Sequence, residues 1–131
     1  MSMVDDISEY LVTQGHATAV GTDIFIGEFQ DDPDDQIVLT PTQGMPPDST
    51  TALEIPGLQI RVRNSSFSDG FDKVNDIYNE LHKTVDTTIS GTRYQWIEAQ
   101  GSPSYLGLAG PDSEGNPRYM FVCNFLLYKD V

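Results

Sequence analysis

The sequence predicts an α/β chain of the α+β kind: one mixed or mainly antiparallel sheet with two helices packed on it. Three observations lead there. Leu58, Ile60 and Val62 alternate with Gln59, Arg61 and Arg63, the period of a half-buried strand. Phe67, Phe71, Val74, Ile77, Tyr78 and Leu81 then fall at three- and four-residue steps, the period of a helix. Between Arg118 and Tyr128 both faces are apolar: Tyr119, Phe121, Cys123, Phe125 and Leu127 oppose Met120, Val122 and Leu126, with Asn124 the interruption. Such a run is a central strand covered on both sides. A length of 131 residues suits one core, so residues 1–131 are expected to form one domain.

The elements follow in order. Val4, Ile7 and Leu11 predict a short amphipathic helix with Asp5, Asp6 and Glu9 outward, the acids favoured by the dipole of its first turn and Gly15 ending it. Asp23–Phe29 and Gln36–Thr40 alternate and flank Asp31-Asp32-Pro33-Asp34-Asp35, which reads as a hairpin closed by an acidic turn. Residues 41–56 carry four prolines and a glycine without a sustained period, and read as a loop. The main helix should run from near Ser68 to Lys83, with Ser66 and Asp69 as a capping pair and His82 and Lys83 in its last turn. Thr92–Ala99 and Ser104–Leu108 read as strands, and Asp112–Pro117 as the turn feeding the last one.

Charge is segregated. Twenty acids face seven bases, for a net charge of −13. Residues 1–56 hold eleven of the acids and no Lys or Arg, while all seven bases follow Gly57. This balance argues against holding duplex DNA by phosphate neutralisation. There is no apolar run long enough for a membrane span, so no membrane partner is expected. The single thiol, Cys123, forms no internal disulfide and has no second cysteine with which to bind zinc. Fourteen Asp against three Lys also fit a protein working at high salt.

A catalytic set is missing from the pattern. His16 and His82 are the only histidines; the first sits in a presumed loop and the second compensates a helix terminus. GxSxG, HExxH, P-loop and GxGxxG motifs do not occur. The acidic run lacks the spacing, glycine and closing glutamate of an EF-hand, so neither metal nor cofactor is expected and the chain is not read as an enzyme. Asp31, Asp32, Asp34 and Asp35 are read as a solvated face, or as a surface lining a subunit interface or a lumen through which DNA slides without sticking. Arg61 and Arg63 are either solvated on the polar face of their strand or directed at a neighbouring subunit's carboxylates. Trp96 and Tyr94 are core or strand-pair aromatics, or interface anchors; Trp96 joins the two arginines as a candidate subunit contact.

Two stretches carry a family resemblance. Pro56-Gly57-Leu58-Gln59-Ile60-Arg61-Val62-Arg63, followed by an amphipathic helix ending in Leu81, resembles the tail terminator or minor capsid protein family of long-tailed, siphovirus-like phages. Gly101–Tyr128 is similar to that family's second signature, a Pro and a Gly ahead of an acidic, Gly-bearing turn and an apolar strand containing Asn124-Phe125. The resemblance implies a virion protein at the head-tail joint, assembled in the host cytoplasm. It implies a homo-oligomeric ring, usually of six subunits, that caps the tail tube. The ring's partners would be the tail tube protein and a head-completion or neck protein, with double-stranded DNA passing through the lumen unbound. Two other readings stand beside it: a head-completion or neck adaptor protein, and an acidic module that mimics DNA.

Overall fold

The N-terminal helix α1 (Met3–Thr13) starts at Ser2, whose side chain accepts the Asp5 N–H while the Asp5 carboxylate reaches back to the Ser2 N–H. This reciprocal cap satisfies two donors the helix leaves open. Gly15, at φ +85°, turns the chain away after the last turn. Val4, Ile7 and Leu11 are buried as their spacing requires, but Asp6, expected outward, is buried with them, where its carboxylate accepts from the Tyr94 hydroxyl. The second helix, α2 (Phe67–His82), begins one residue before the expected position and ends one residue early, with Ser66 accepting from the Asp69 N–H. Val74, Ile77 and Leu81 form its buried stripe.

The computed structural model describes residues 2–48, 50 and 52–131. Among them are seven strands: β1 (Ile24–Ile26), β2 (Gln36–Asp48), β3 (Leu53–Asn64), β4 (Val85–Ile89), β5 (Thr92–Ala99), β6 (Ser104–Ala109) and β7 (Arg118–Asp130). They form one mixed sheet in the order β1-β2-β3-β7-β5-β4, with β6 also pairing β7. The centre is β7, as its two apolar faces require: β3 runs antiparallel on one side, while β6 and then β5 share the other. Both helices pack on one face, α1 against β1, β2 and β4, and α2 against β7, β3 and β5.

Two expectations about the sheet are corrected. The strands flanking the acidic run do not form a hairpin, because β1 pairs with β2 in parallel. Gly27, at φ +98°, lets the chain leave the sheet after Ile26. The segment then crosses the face opposite the helices and re-enters in its original direction. Residues 41–56 are not a loop either: β2 and β3 continue through most of them as a long antiparallel hairpin. Ser49 and Thr51 of that stretch lie outside the described residues. Proline is tolerated because β1 covers β2 only from Ile37 to Leu39, leaving the rest an edge strand, and because the pairing shifts register between Thr42 and Met45 and again before Asp48. The short strand β4, from Val85, had no signal strong enough to predict.

The core lies between the helices and the sheet. Ile24, Ile37, Leu39, Leu58, Ile60, Val62, Tyr94, Ile97, Phe121, Cys123, Phe125 and Leu127 enter it from the strands and meet the helical stripes. Each large side chain so buried contributes about 1.5–3 kcal/mol. The closest approach is at Gly70, where α2 rests on Phe121 and Asn64.

Candidate functional site

Arg61 and Arg63 point away from the helices because Ile60 and Val62 point toward them. The acidic segment lies over these two guanidinium groups. Phe29 sits between them, its ring centroid 5.1 Å from each guanidinium carbon. Arg61 Nη2 donates to the Gly27 carbonyl at 2.8 Å and to Thr40 Oγ1 at 3.3 Å. Arg63 goes further, with Nη2 donating to the carbonyls of Gln30 at 2.6 Å, Pro33 at 2.7 Å and Asp31 at 3.2 Å, and Nε donating to that of Asp34 at 3.0 Å. Arg118, at the start of β7, donates to Asp31 O, Gly110 O and Pro111 O at 2.8–3.0 Å.

Arg63 is therefore neither solvated nor free to reach a neighbour: it is 4% exposed and its donors are used inside the protomer. Arg61 is half-buried and also turned inward. Burial and the nearby Arg118 charge lower the Arg63 pKa, while Asp34, Asp31 and Asp32 oppose that shift. The buried Gln36 side chain completes the frame, exchanging bonds with the backbone of Gln30 and donating to Pro33 O. Asp35 accepts from the backbone and hydroxyl of Ser65.

This arrangement sorts the segment's polar groups. Carbonyls face inward to the arginines, whereas Asp31, Asp32 and Asp35 are exposed and Asp34 is half-buried, 3.6 Å from Arg118 Nη1. Beside them the turn 112–117 is held by Asp112 Oδ1, which accepts the N–H groups of Asn116 at 2.7 Å and Glu114 at 2.9 Å. Those bonds hold the Asp112 carboxyl below its ordinary range. Segment and turn enclose an open cleft of about 530 Å³ lined by Asp32, Asp34, Asp112 and Glu114 together with Ser65 and Asn116. Among the described residues, no group of three or more His, Cys, Asp or Glu converges on a metal position. A rigid surface of negative charge repels polyanions and attracts basic groups.

Trp96 and Tyr94 part company at a register shift in β5. Tyr94 enters the core and donates to Asp6 Oδ2 at 3.2 Å. Trp96 faces the other way, 41% exposed, stacked on Tyr128 with centroids 4.0 Å apart. The histidines are engaged as well: His16 Nε2 lies 3.1 Å from Glu80 Oε1, and His82 stacks on Tyr78.

Sequence reasoning missed two features. Nothing marked Arg118 as a partner of the acidic segment, since the two meet across 87 positions of chain. The aromatic residues opening α2 looked like core, yet Phe67 and Phe71 are exposed, grouped with Tyr105 from β6.

A family model described as bacteriophage tail terminator protein matches residues 11–131, nearly all of this sheet and helix arrangement. The chain belongs to that tail terminator family. No curated protein matches it in sequence. No helix among the described residues is long and apolar enough to cross a membrane.

Proposed function

We propose that this tail terminator acts by assembly: six copies close into a ring on the head-proximal end of the tail tube, stop its elongation and offer a surface to the neck. The family match over residues 11–131 carries this reading. The acidic segment suits such a ring. Its carboxylates, held outward by Arg61, Arg63 and Arg118, line the lumen or a subunit boundary, where they repel the DNA backbone. The two β3 arginines thus serve the interface from behind, by fixing the segment. Trp96, on the β5 side of the protomer, meets the neighbouring subunit directly, since a half-exposed tryptophan on a stacked partner is a suitable anchor. The mechanism is steric and needs neither catalysis nor cofactor.

Electron microscopy of particles made without this gene tests the proposal. Detached tails of excessive or irregular length, restored to normal by added wild-type protein, are the expected result. Detached tails of normal length would move the protein to the head side of the joint, and intact infectious virions would remove the proposal.

A further inference from the structure

We infer that the open edge of β6 is the surface by which one copy of this chain grips the next, with the neighbour's β1 edge as its counterpart. The inference rests on the ring reading and supplies the contact that closes the ring. Registers run Ile24, Ile37, Val62, Phe121, Tyr105 and Phe25, Val38, Arg61, Val122, Ser104. One row of five strands therefore has β1 at one end and β6 at the other. Among the described residues, β6 pairs only with β7, so its outer side carries no strand.

An unpaired edge invites another strand, and proteins guard such edges with proline, charge or irregular backbone. The edge of β2 beyond Leu39 carries Pro41 and Pro46. The edge strand β4 carries Asp86, at φ +47° and bonded to Arg93. β6, Ser-Tyr-Leu-Gly-Leu-Ala, has neither proline nor charge, and no charged residue occurs from Ala99 to Pro111. Its irregular backbone is confined to one bulge, the register shift between Tyr105 and Gly107 with Gly107 at φ +117°. In place of charge or proline it displays apolar groups: Leu106 is 50% and Leu108 61% exposed, and Tyr105 continues onto Phe67, 5.1 Å away between ring centroids. A contiguous patch of this kind marks a site of association.

The other end of the row supplies the occupant. The outer side of β1 is already bridged at Ile24, by Val20 with the Gly21 N–H on the Ile24 carbonyl, so the edge is open at Ile26, whose side chain is exposed. Register with the core residues Leu39, Ile60 and Cys123 puts Ile26 on the helix-covered face, the face that Tyr105 shares through Phe121. Strand directions agree too: β1 runs with β2, β3 opposes them, β7 runs with β2 and β6 opposes β7. In a head-to-tail neighbour β6 therefore meets β1 antiparallel, the pairing that dominates this sheet. Two different patches meeting in this way propagate from copy to copy and make a ring where the rotation between copies closes, whereas β6 against its own copy would stop at a dimer. For chains of net charge −13, contact through the uncharged β6 edge also limits repulsion.

Disulfide trapping tests this. Ile26→Cys combined with Leu106→Cys or Leu108→Cys, at exposed positions and with Cys123 buried, should on oxidation give a covalent ladder ending at the ring. Each single variant should give dimers at most. In parallel, Leu106→Lys with Leu108→Lys should reduce the assembly to monomer mass while the circular-dichroism melt stays as in wild type. Wild-type rings together with no ladder and rings that survive both lysines overturn this contact and leave the ring reading standing. A wild-type chain that stays monomeric alone and on tail tubes removes the ring reading and this contact with it.

Discussion

Arg63 and Arg118 donate to one and the same carbonyl oxygen, that of Asp31, at 3.2 Å and 3.0 Å. Two cations converge there although each disfavours the other, and Arg118 is among the causes that lower the Arg63 pKa. What offsets the repulsion is the segment itself, which brings backbone carbonyls to both guanidinium groups and carboxylates to the space outside them. The acidic run and the buried arginines are therefore one device. Cations inside hold a dense patch of anions at the surface in a fixed shape.

Removing the inner cation should release that shape. Arg63→Ala leaves the carbonyls of Gln30, Pro33 and Asp34 without this donor in a place where water enters poorly. The expected cost is about 3 kcal/mol of folding stability, with Arg63→Lys intermediate because an ammonium lacks the planar fork. Arg93→Ala is the control: that side chain is exposed and its pairs with Asp86 and Asp130 are screened by water, so its loss should leave stability close to wild type. Urea titrations of the three variants decide it, and an Arg63→Ala loss no larger than that of Arg93→Ala would mean the segment holds itself.

Gly70→Ala sets two effects against each other. Alanine favours a helix over glycine by about 1 kcal/mol. The added methyl, however, would lie 2.6 Å from Phe121 Cε2 and 2.9 Å from Asn64 Cβ, where neither neighbour has room to retreat from β7 and β3. Overpacking of this kind costs about 1–3 kcal/mol, so the variant should be less stable than wild type by about 1 kcal/mol or more. A thermal melt showing it more stable would mean that α2 lifts freely from the sheet.

Legibility followed the range of the interactions involved. β3, α2 and β7 were readable because each is dictated by its own period, and the Ser66 cap because it acts over three residues. The direction of β2 was not, because the acidic run has the composition of a local turn while its acceptors are met by Arg63 and Arg118, far away in sequence. For the same reason alternation correctly put Arg61 and Arg63 on the face away from the core but could not show that a crossing segment covers that face. β2 continues through its prolines because it is an edge there, a property of neighbours rather than of the strand. Phe67 and Tyr105 gave aromatic signals that mean core on most helices and strands, and they stay open to solvent because among the described residues β6 is an edge.

Alkaline pH should destabilise the fold through two buried acids. Burial pushes the Cys123 thiol from 9.0 up to about 12. The native state thus keeps a proton the unfolded chain has lost, so stability from this group is complete below pH 9 and falls as pH rises from there toward 12. Tyr94 adds the same sign from pH 10 upward, its phenol raised by burial first and then by the charge and hydrogen bond of Asp6. Cys123 above about pH 9 and Tyr94 above about pH 10 should each steepen the loss toward about 1.4 kcal/mol per pH unit. Urea midpoints at pH 8, 9, 10 and 10.5 check this: Cys123→Ala, whatever its cavity cost at pH 8, should lose less than wild type between pH 9 and 10.5. Equal slopes would show the thiol ionising freely in the native state.

Trp96 is the chain's single tryptophan and so reports its own fate on assembly. In the monomer it is half-exposed on Tyr128, whose hydroxyl is tied to Glu98 Oε2 at 2.9 Å. If the β5 side meets a neighbour, ring formation should shift its emission to shorter wavelength as water leaves the indole, and Trp96→Ala should weaken assembly tenfold or more. Because the side chain lies outside the core, the same substitution should leave the monomer folded at a cost of about 1–3 kcal/mol, the lost stack together with its partial burial. Emission unchanged between monomer and ring, with Trp96→Ala assembling at wild-type concentration, would place the tryptophan away from the subunit boundary and leave β6 and β1 to carry the contact alone.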